Sequence, residues 1–257
     1  LARIVGGLEK PDRGDILVDG QSLVGDQWDR SFRKRIQMIF QDPYGSVNPF
    51  MTVEDVIGEP LLIHRTCSGQ QRKKHVAELM RRVGLEPGLA GRKPVQVSGG
   101  ELQRACIARA MALDPDLLVA DEPVASLDAP LRAGILGLLR NIQRMKNLSM
   151  LLVAHDLQMV DQVSDEMAVM LKGRVVETGP TAEVMADPMH PYTKLLKEVM
   201  TPGKIVDVLP DEGAGGNGDD ARCPFRDRCP ESMPSCDRLP PPVTKNEKRT
   251  VTCFLIK

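Results

Sequence analysis

A glycine-rich turn and an acidic strand end carry the residues that could do chemistry in this chain. The turn Ser98–Gly100 precedes a run with helical character, and a serine-capped helix start offers unpaired backbone N–H groups and a positive dipole end to an anion. The apolar run 117–120 ends in Asp121 and Glu122. Such carboxylates suit a divalent cation and an attacking water. Together the two features indicate chemistry on a nucleoside triphosphate.

Alternating strands and helices must position these groups. Apolar stretches at 35–40, 117–120 and 149–154 predict strands, and the helical patterns between them favour an α/β fold with a parallel sheet. The carboxyl ends of parallel strands meet at one edge, where ligands bind. Gln41 and His155 follow the first and third strands. We therefore expect both at the same edge as the acidic pair.

Other stretches predict the surrounding elements. Thr52 is predicted to cap a helix that begins at Val53, and the run 71–83 has an apolar face opposite a basic one. Two further predictions concern the second half: a hairpin formed by 167–171 and 174–177, and two short helices within 181–200.

Composition limits the possible function classes. The chain has 257 residues, of which 42% are hydrophobic and 27% charged, as is ordinary for a globular protein. Its net charge of -1 disfavours nucleic acid as a main partner. It has no apolar run of the roughly 18 residues that would indicate a membrane span. Since it starts at Leu1 without Met, we expect a fragment of a longer protein.

Four cysteines cluster near the end of the chain: Cys223, Cys229, Cys236 and Cys253. Four thiolates suit an iron–sulfur cluster or a tetrahedral Zn²⁺ site, and the absence of a short Cys-x2-Cys spacing makes zinc the weaker alternative. Disulfides are disfavoured if the protein is cytosolic, and a tail that binds no metal is also possible.

In these motifs the chain resembles the ATP-binding subunits of ATP-binding-cassette (ABC) transporters, of the oligopeptide and dipeptide importer branch. Ser98–Arg104 resembles the family signature, Leu117–Glu122 the Walker B strand and Ser126–Asp128 the D-loop. Gln41 resembles the Q-loop glutamine, and His155 the switch histidine.

The resemblance implies a P-loop NTPase fold of the ABC type. It places an ATP-binding domain at 1–200, with an inserted α-helical subdomain at about 45–100. A linker at 201–222 would then lead to a small cysteine-containing module at 223–257.

Catalytic roles follow from the same resemblance. The catalytic residues would be Glu122, which would polarise the attacking water, His155, which would contact the γ-phosphate of ATP, and Gln41. Asp121 and Gln41 would hold Mg²⁺. These roles fit phosphoryl transfer, because its catalysis consists mainly of positioning and electrostatics. The terminal cysteines would hold a 4Fe-4S cluster or, less favourably, zinc.

The resemblance also implies partners. Two homologous ATPase subunits would pack head to tail, so that Ser98, Gly99, Gly100 and Glu101 contact the partner's ATP and Asp128 lies at the dimer seam. Two membrane permease subunits and an extracytoplasmic solute-binding protein would complete the transporter. The chain would be peripheral, at the cytoplasmic face of the cell membrane.

Three departures from the family pattern stand out. The P-loop is absent, and the first residues resemble the helix that follows it, so we expect the given stretch alone to be inactive. Glu101 replaces the more frequent Gln, and Ala125 the more frequent Ser. The motif at 190–193 favours peptide import, while a nickel or other small-solute importer, a non-transport ABC ATPase and a redox-sensing module stay open as alternatives.

Overall fold

The computed structural model describes residues 1–22, 30–199, 222–246 and 248–256. The chain divides into two units, Leu1–His155 and Asp156–Lys257, which are described separately below. The predicted linker at 201–222 lies outside the described residues except for Arg222. The predicted domain limits stay a prediction.

The first unit contains short hairpin strands, a parallel sheet and the longer helices. Its helices are α1 (Ala2–Val5), α2 (Arg30–Arg35), α3 (Val53–Ile63), α4 (Gly69–Arg82), α5 (Gly99–Met111) and α6 (Ala129–Lys146). Its strands are β1 (Leu17–Val18), β2 (Gln21–Ser22), β3 (Ile36–Ile39), β4 (Leu117–Asp121) and β5 (Ser149–Val153). Single turns of 3-10 helix lie at Pro87–Leu89 and Pro94–Gln96.

The strands β3, β4 and β5 form a parallel sheet in that order. Leu118, Val119 and Ala120 in the middle strand are fully buried, which explains why the sequence shows a continuous apolar run there. In the register, Ile39 lies beside Ala120, and Asp121 beside Val153. The three strands therefore end at nearly the same level, as the sequence predicts.

Helices α3 and α4 lie within the residue range of the predicted helical subdomain. The Thr52 hydroxyl accepts a hydrogen bond from the Asp55 N–H at 3.2 Å, which caps α3 as predicted. On α4 the predicted apolar face is confirmed, because Val76, Leu79 and Met80 are buried. Its basic residues occupy the remaining surface.

The second unit is built on an antiparallel sheet. Its strands are β6 (Glu166–Leu171), β7 (Arg174–Pro180), β8 (Val243–Lys245) and β9 (Thr250–Thr252), paired in the order β6-β7-β9-β8. Its helices are α7 (Leu157–Val163), α8 (Thr181–Ala186), α9 (Pro191–Val199) and α10 (Pro234–Arg238). The predicted hairpin and the two helices are confirmed, whereas β8 and β9 were not predicted because each is only three residues long.

Candidate active site

Three polar side chains meet at the carboxyl edge of the parallel sheet. Glu122 follows β4 directly, and Gln41 and His155 each come two residues after the neighbouring strands. The Gln41 Nε2 donates a hydrogen bond to Glu122 Oε2 at 2.8 Å. His155 Nδ1 lies 3.2 Å from Glu122 Oε1. The structure thus brings together the three residues for which the sequence predicts catalysis, and holds the glutamate from both sides.

The backbone of Glu122 has a conformation that the sequence did not indicate. Its φ angle is 45°, in the left-handed region that a residue with a Cβ seldom adopts. The Glu122 N–H donates to the Val153 carbonyl oxygen at 2.9 Å, and the Ala125 N–H donates to the Glu122 carbonyl oxygen at 3.2 Å. These two bonds hold the turn, which sets the direction in which the carboxylate points.

Asp121 and Gln41 provide the oxygens that a magnesium ion prefers. The Asp121 carboxylate is half-buried, and within the described ranges no hydrogen bond or ion pair engages it. Gln41 uses its amide nitrogen on Glu122, which leaves its amide oxygen for another contact. Carboxylate and amide oxygens are hard ligands suited to Mg²⁺, so this pair fits the predicted ion.

The serine-capped turn at the start of α5 forms a complete capping box. The Ser98 N–H and hydroxyl both donate to Glu101 Oε2, at 2.7 and 2.8 Å, and the Glu101 N–H returns a bond to Ser98 Oγ at 3.3 Å. The N–H and hydroxyl of Ser98 hold the pKa of Glu101 below its usual value. Glu101 is therefore a charged partner of Ser98, for which the family resemblance implies a contact with the partner's ATP.

The glycines of this turn allow α5 and α6 to approach each other. A Cβ on Gly100 would lie 3.2 Å from the Leu131 side chain, and one on Gly99 3.9 Å from Leu127. Asp128 caps α6, since its Oδ1 accepts the Leu131 N–H at 3.0 Å. The signature turn and Asp128 are thus neighbours, but among the described residues no hydrogen bond or ion pair joins them to Glu122. Their predicted roles at a dimer seam stay predictions.

The four clustered cysteines come together around one small cavity in the second unit. Cys223, Cys229, Cys236 and Cys253 all line it, and its volume is about 10 Å³. All four are free thiols. Within the part of the chain that the structure describes, no three His, Cys, Asp or Glu side chains are arranged to hold a metal ion. The iron–sulfur or zinc site therefore stays a prediction.

The surroundings of these thiols act on their pKa in two opposing directions. Burial raises the pKa of Cys223, Cys229 and Cys253, and the neighbouring sulfurs raise it further. Backbone N–H groups beside the three sulfurs act in the opposite direction, because they stabilise the thiolate form. Thiols that repel one another as anions, with N–H donors close by, would gain from a shared cationic group.

Sequence reasoning missed a buried ion pair in the same unit. Glu177 on β7 is fully buried, and it pairs with Arg249, which is 8% exposed. The Glu177 carboxylate also accepts the N–H groups of Met189 and His190, both at 3.0 Å, and Arg249 donates to the Asp187 carbonyl oxygen at 2.7 Å. The only signal in the sequence is a glutamate that directly follows Val175 and Val176 in β7.

His190 is a second buried polar residue at this place. It is 1% exposed, and burial lowers its pKa to about 4, against an opposing effect of the Glu177 carboxylate. Its Nδ1 accepts the Tyr192 N–H at 3.0 Å at the start of α9. The ring lies 6.2 Å from the Phe225 ring, centroid to centroid, and lines the cysteine cavity.

Comparison with known proteins places this geometry in a family. Residues 1–125 match the ABC transporter family, and residues 176–236 match the C-terminal region of oligopeptide/dipeptide transporters. The oligopeptide transport ATP-binding protein OppF of Escherichia coli (strain K12) is 39% identical over 99% of this chain and 79% of its own length. The chain belongs to the ABC transporter family of ATP-binding proteins.

Further relatives agree with that placement. The oligopeptide transport ATP-binding protein AppF of Bacillus subtilis (strain 168) is 38% identical, over 96% of this chain and 79% of its own length. A dimeric structure of the ATP-binding cassette MJ0796, bound to ADP and Pi, superposes with a TM-score of 0.63 at 28% identity. That match covers 70% of this chain and 78% of the cassette, so the chain has the ABC ATPase fold.

The structure of cbiO1 from Clostridium perfringens, part of the ABC transporter complex cbiONQ, is similar to the same extent. Its TM-score is 0.63 at 28% identity, over 72% of this chain and 73% of cbiO1. In the described ranges, the helices of this ABC protein are all too short or too polar to cross a membrane.

Proposed function

We propose that this chain is the ATP-hydrolysing subunit that powers the import of oligopeptides or dipeptides through membrane permease partners. The proposal that the chain hydrolyses ATP rests on one observation: Glu122 lies between Gln41 and His155 at the edge of the parallel sheet. The peptide assignment is supported by the match of 176–236 and by the names of the relatives.

The arrangement suggests how the chain's own residues act in hydrolysis. Glu122 accepts a hydrogen bond from Gln41 on one carboxylate oxygen and lies beside His155 Nδ1 with the other, and it can polarise a water aligned with the γ-phosphate of ATP. His155 is largely exposed, so its Nε2 can donate to the γ-phosphate while Nδ1 stays beside the glutamate. When bound by Asp121 and Gln41, Mg²⁺ would neutralise charge on the phosphate oxygens.

The signature turn supplies the second half of the proposed nucleotide site. In a head-to-tail dimer with a homologous ATPase, Ser98, Gly99, Gly100 and Glu101 would close over the ATP of the partner, and Asp128 would lie at the seam. The backbone N–H groups at the start of α5 are suited to phosphate, although Glu101 places a negative charge among them.

The proposed permease contact lies in the segment that follows β3. Phe50 is 81% exposed and Tyr44 is 47% exposed, so both aromatic side chains are accessible for a contact with another protein. The segment 41–52 would connect the Gln41 amide to two permease subunits. An extracytoplasmic solute-binding protein would deliver the peptide, and the subunit would be peripheral at the cytoplasmic face of the membrane.

We also propose that the module at 223–257 holds a 4Fe-4S cluster on its four cysteines, with Zn²⁺ as the weaker alternative. The support is that all four thiols line one cavity and that backbone N–H groups stand beside three of them. Full-length protein purified without oxygen should contain iron and sulfide, and Cys229→Ser should lose them. A colourless, iron-free preparation would contradict the cluster.

The glutamate provides the test of hydrolysis. In the full-length protein, Glu122→Gln keeps the size of the side chain but removes the negative charge, so ATP turnover should fall about 10²-fold or more. Nucleotide should remain bound, and gel filtration should detect a nucleotide-dependent dimer. The exposed Glu86 supplies a matched control, Glu86→Gln. Unchanged turnover in the Glu122 variant would refute its assigned role.

A second experiment tests the transported solute. The subunit is assembled with its permeases and solute-binding protein in proteoliposomes, and ATP turnover is measured with short peptides or with nickel. Stimulation by peptides supports the proposal. Stimulation by nickel alone would assign the chain to a metal importer.

A further inference from the structure

An arginine near the end of α5 holds the segment that follows β3. The Arg109 Nη1 donates a hydrogen bond to the Ser46 carbonyl oxygen at 2.7 Å, and its Nη2 donates to Ser46 Oγ at 3.3 Å. Both bonds are charge-assisted, and such bonds are about twice as strong as those between neutral groups. One guanidinium thus holds the backbone and the side chain of a residue that is 63 positions away in the chain.

The residues around Ser46 form a turn that is closed by its own hydrogen bonds. The Ser46 N–H donates to the Asp42 carbonyl oxygen at 3.1 Å, and the Ser46 hydroxyl donates to the Pro43 carbonyl oxygen at 3.0 Å. The sulfur of the buried Cys106, one helical turn before Arg109, lies 3.6 Å from Ser46 Oγ. A pull on Ser46 is therefore passed to the start of the turn.

A second contact joins the same turn to the other end of α5. The Tyr44 hydroxyl donates to the carbonyl oxygen of Val97 at 3.4 Å, and Val97 directly precedes the serine that caps the helix. Helix α5 has 13 residues, so it is about 20 Å long. The turn is thus attached near both ends of the helix that begins at the signature turn.

The turn in its turn limits the position of Gln41. This residue lies between the end of β3 at Ile39 and the turn that begins at Asp42. The sheet holds the chain on one side of Gln41, and the Ser46 turn holds it on the other. From this position the Gln41 amide donates to Glu122 Oε2 at 2.8 Å.

We propose that Arg109 is a positioning residue for Gln41: by holding the Ser46 turn against α5, it fixes the place from which the Gln41 amide meets Glu122. The inference rests on the proposed ATPase function. Arg109 acts through the backbone between Ser46 and Gln41. Small displacements of a positioned group can be costly for catalysis, so release of the turn should slow ATP hydrolysis.

Two substitutions in the full-length protein test the guanidinium. Arg109→Met keeps the apolar stem and removes every donor, whereas Arg109→Lys keeps one ammonium that can reach the Ser46 carbonyl oxygen without the planar fork. ATP turnover should fall about 10-fold in Arg109→Met and less in Arg109→Lys. Amide hydrogen exchange in 42–48 should become faster in Arg109→Met, while exchange in β4 stays unchanged. The exposed Arg81 on α4 supplies a control, since Arg81→Met should change neither quantity.

A double-mutant cycle separates positioning of Gln41 from general damage to the fold. If Arg109 acts through Gln41, its loss matters only while the Gln41 amide is present. Adding Arg109→Met to Gln41→Ala should then lower turnover by less than about 2-fold. A loss of about 10-fold in both backgrounds would overturn the proposal. Wild-type turnover in Arg109→Met, or unchanged exchange in 42–48, would overturn it as well.

The wild-type protein separates this inference from the proposed function. Wild-type protein that does not hydrolyse ATP would overturn the proposed ATPase and, with it, the role of Arg109. An active wild type with an equally active Arg109→Met variant would overturn the role of Arg109 alone.

Discussion

The buried pair of Glu177 and Arg249 should dominate the stability of the second unit. In Glu177→Ala, the guanidinium would remain buried without its counter-charge, and the N–H groups of Met189 and His190 would lose their acceptor. Breaking a buried pair by removing one partner typically costs about 3–5 kcal/mol. The lost N–H bonds belong to the same carboxylate, so they are part of this cost. We expect Glu177→Ala to lower the free energy of unfolding of the second unit by about 4 kcal/mol.

A double-mutant cycle isolates the interaction itself. Arg249→Ala should also destabilise the unit, since it leaves the Glu177 carboxylate charged and fully buried. The double variant should lose less than the sum of the single losses, by about 1–3 kcal/mol, because neither charge is then left alone. The ion pair of Glu183 and Lys248 supplies a matched control. Lys248 Nζ lies 3.9 Å from Glu183 Oε1, and the two side chains are 68% and 46% exposed, Lys248 being the more exposed. Its cycle should give about 0–1 kcal/mol.

Hydrogen exchange of the full chain at increasing urea concentration is the suitable assay, because it reports the free energy of opening segment by segment. Peptides from β7 and α9 report on the second unit, and peptides from α5 serve as an internal reference in the first. A decrease of less than about 1 kcal/mol in the opening free energy of β7 in Glu177→Ala would show that the buried pair does not dominate the stability of the unit. Additive effects of the two single substitutions would show that the two side chains do not interact.

Three further substitutions test other parts of the structure. Gln41→Ala removes the 2.8 Å bond to Glu122 together with the amide oxygen proposed for Mg²⁺, so ATP turnover of the full-length protein should fall by ~10²-fold; equal turnover would show that the Gln41 side chain is dispensable. Gly179→Ala would place a Cβ 2.7 Å from the Arg249 side chain and should destabilise β7 by about 1–3 kcal/mol, measured by hydrogen exchange. Glu101→Ala removes a carboxylate whose pKa is lowered in the folded state, so its stabilisation of about 0.3–1.5 kcal/mol exists at neutral pH and is lost as the pH falls below 4.5. Urea unfolding of variant and wild type should therefore differ at pH 7 and converge in acid, and a difference independent of pH would contradict this.

Local patterns predicted the parts of the structure that depend on local physics. The caps at Thr52 and Ser98 follow from side chains that bond to N–H groups three residues ahead. The parallel sheet follows from apolar runs of strand length between helices. Its topology alone predicted that Gln41 and His155 lie close to Glu122, as the structure has them. In each case the deciding interaction lies within one element or follows from a topological rule.

Contacts between distant segments could not be predicted in the same way. Glu177 and Arg249 are 72 residues apart, and nothing beside either residue indicates the other. The short strands β8 and β9 have no periodicity of their own, and β9 is a strand because Val251 and Thr250 pair with β7. The His190 ring has a defined tautomer only because of the Tyr192 N–H and the packing of Phe225.

The conformation of Glu122 shows why a motif is not yet a site. The sequence places an acidic pair at a strand end, but successive side chains of a strand point to opposite faces. Glu122 leaves that alternation through its φ of 45°, a conformation that is unfavourable for glutamate when considered alone. Its N–H donates to the carbonyl oxygen of Val153 on the neighbouring strand, 31 residues further along the chain, and this bond offsets the strain. The carboxylate therefore faces Gln41 and His155 only when β5 is paired with β4, so the alignment of the catalytic group depends on the assembled sheet and not on the acidic motif itself.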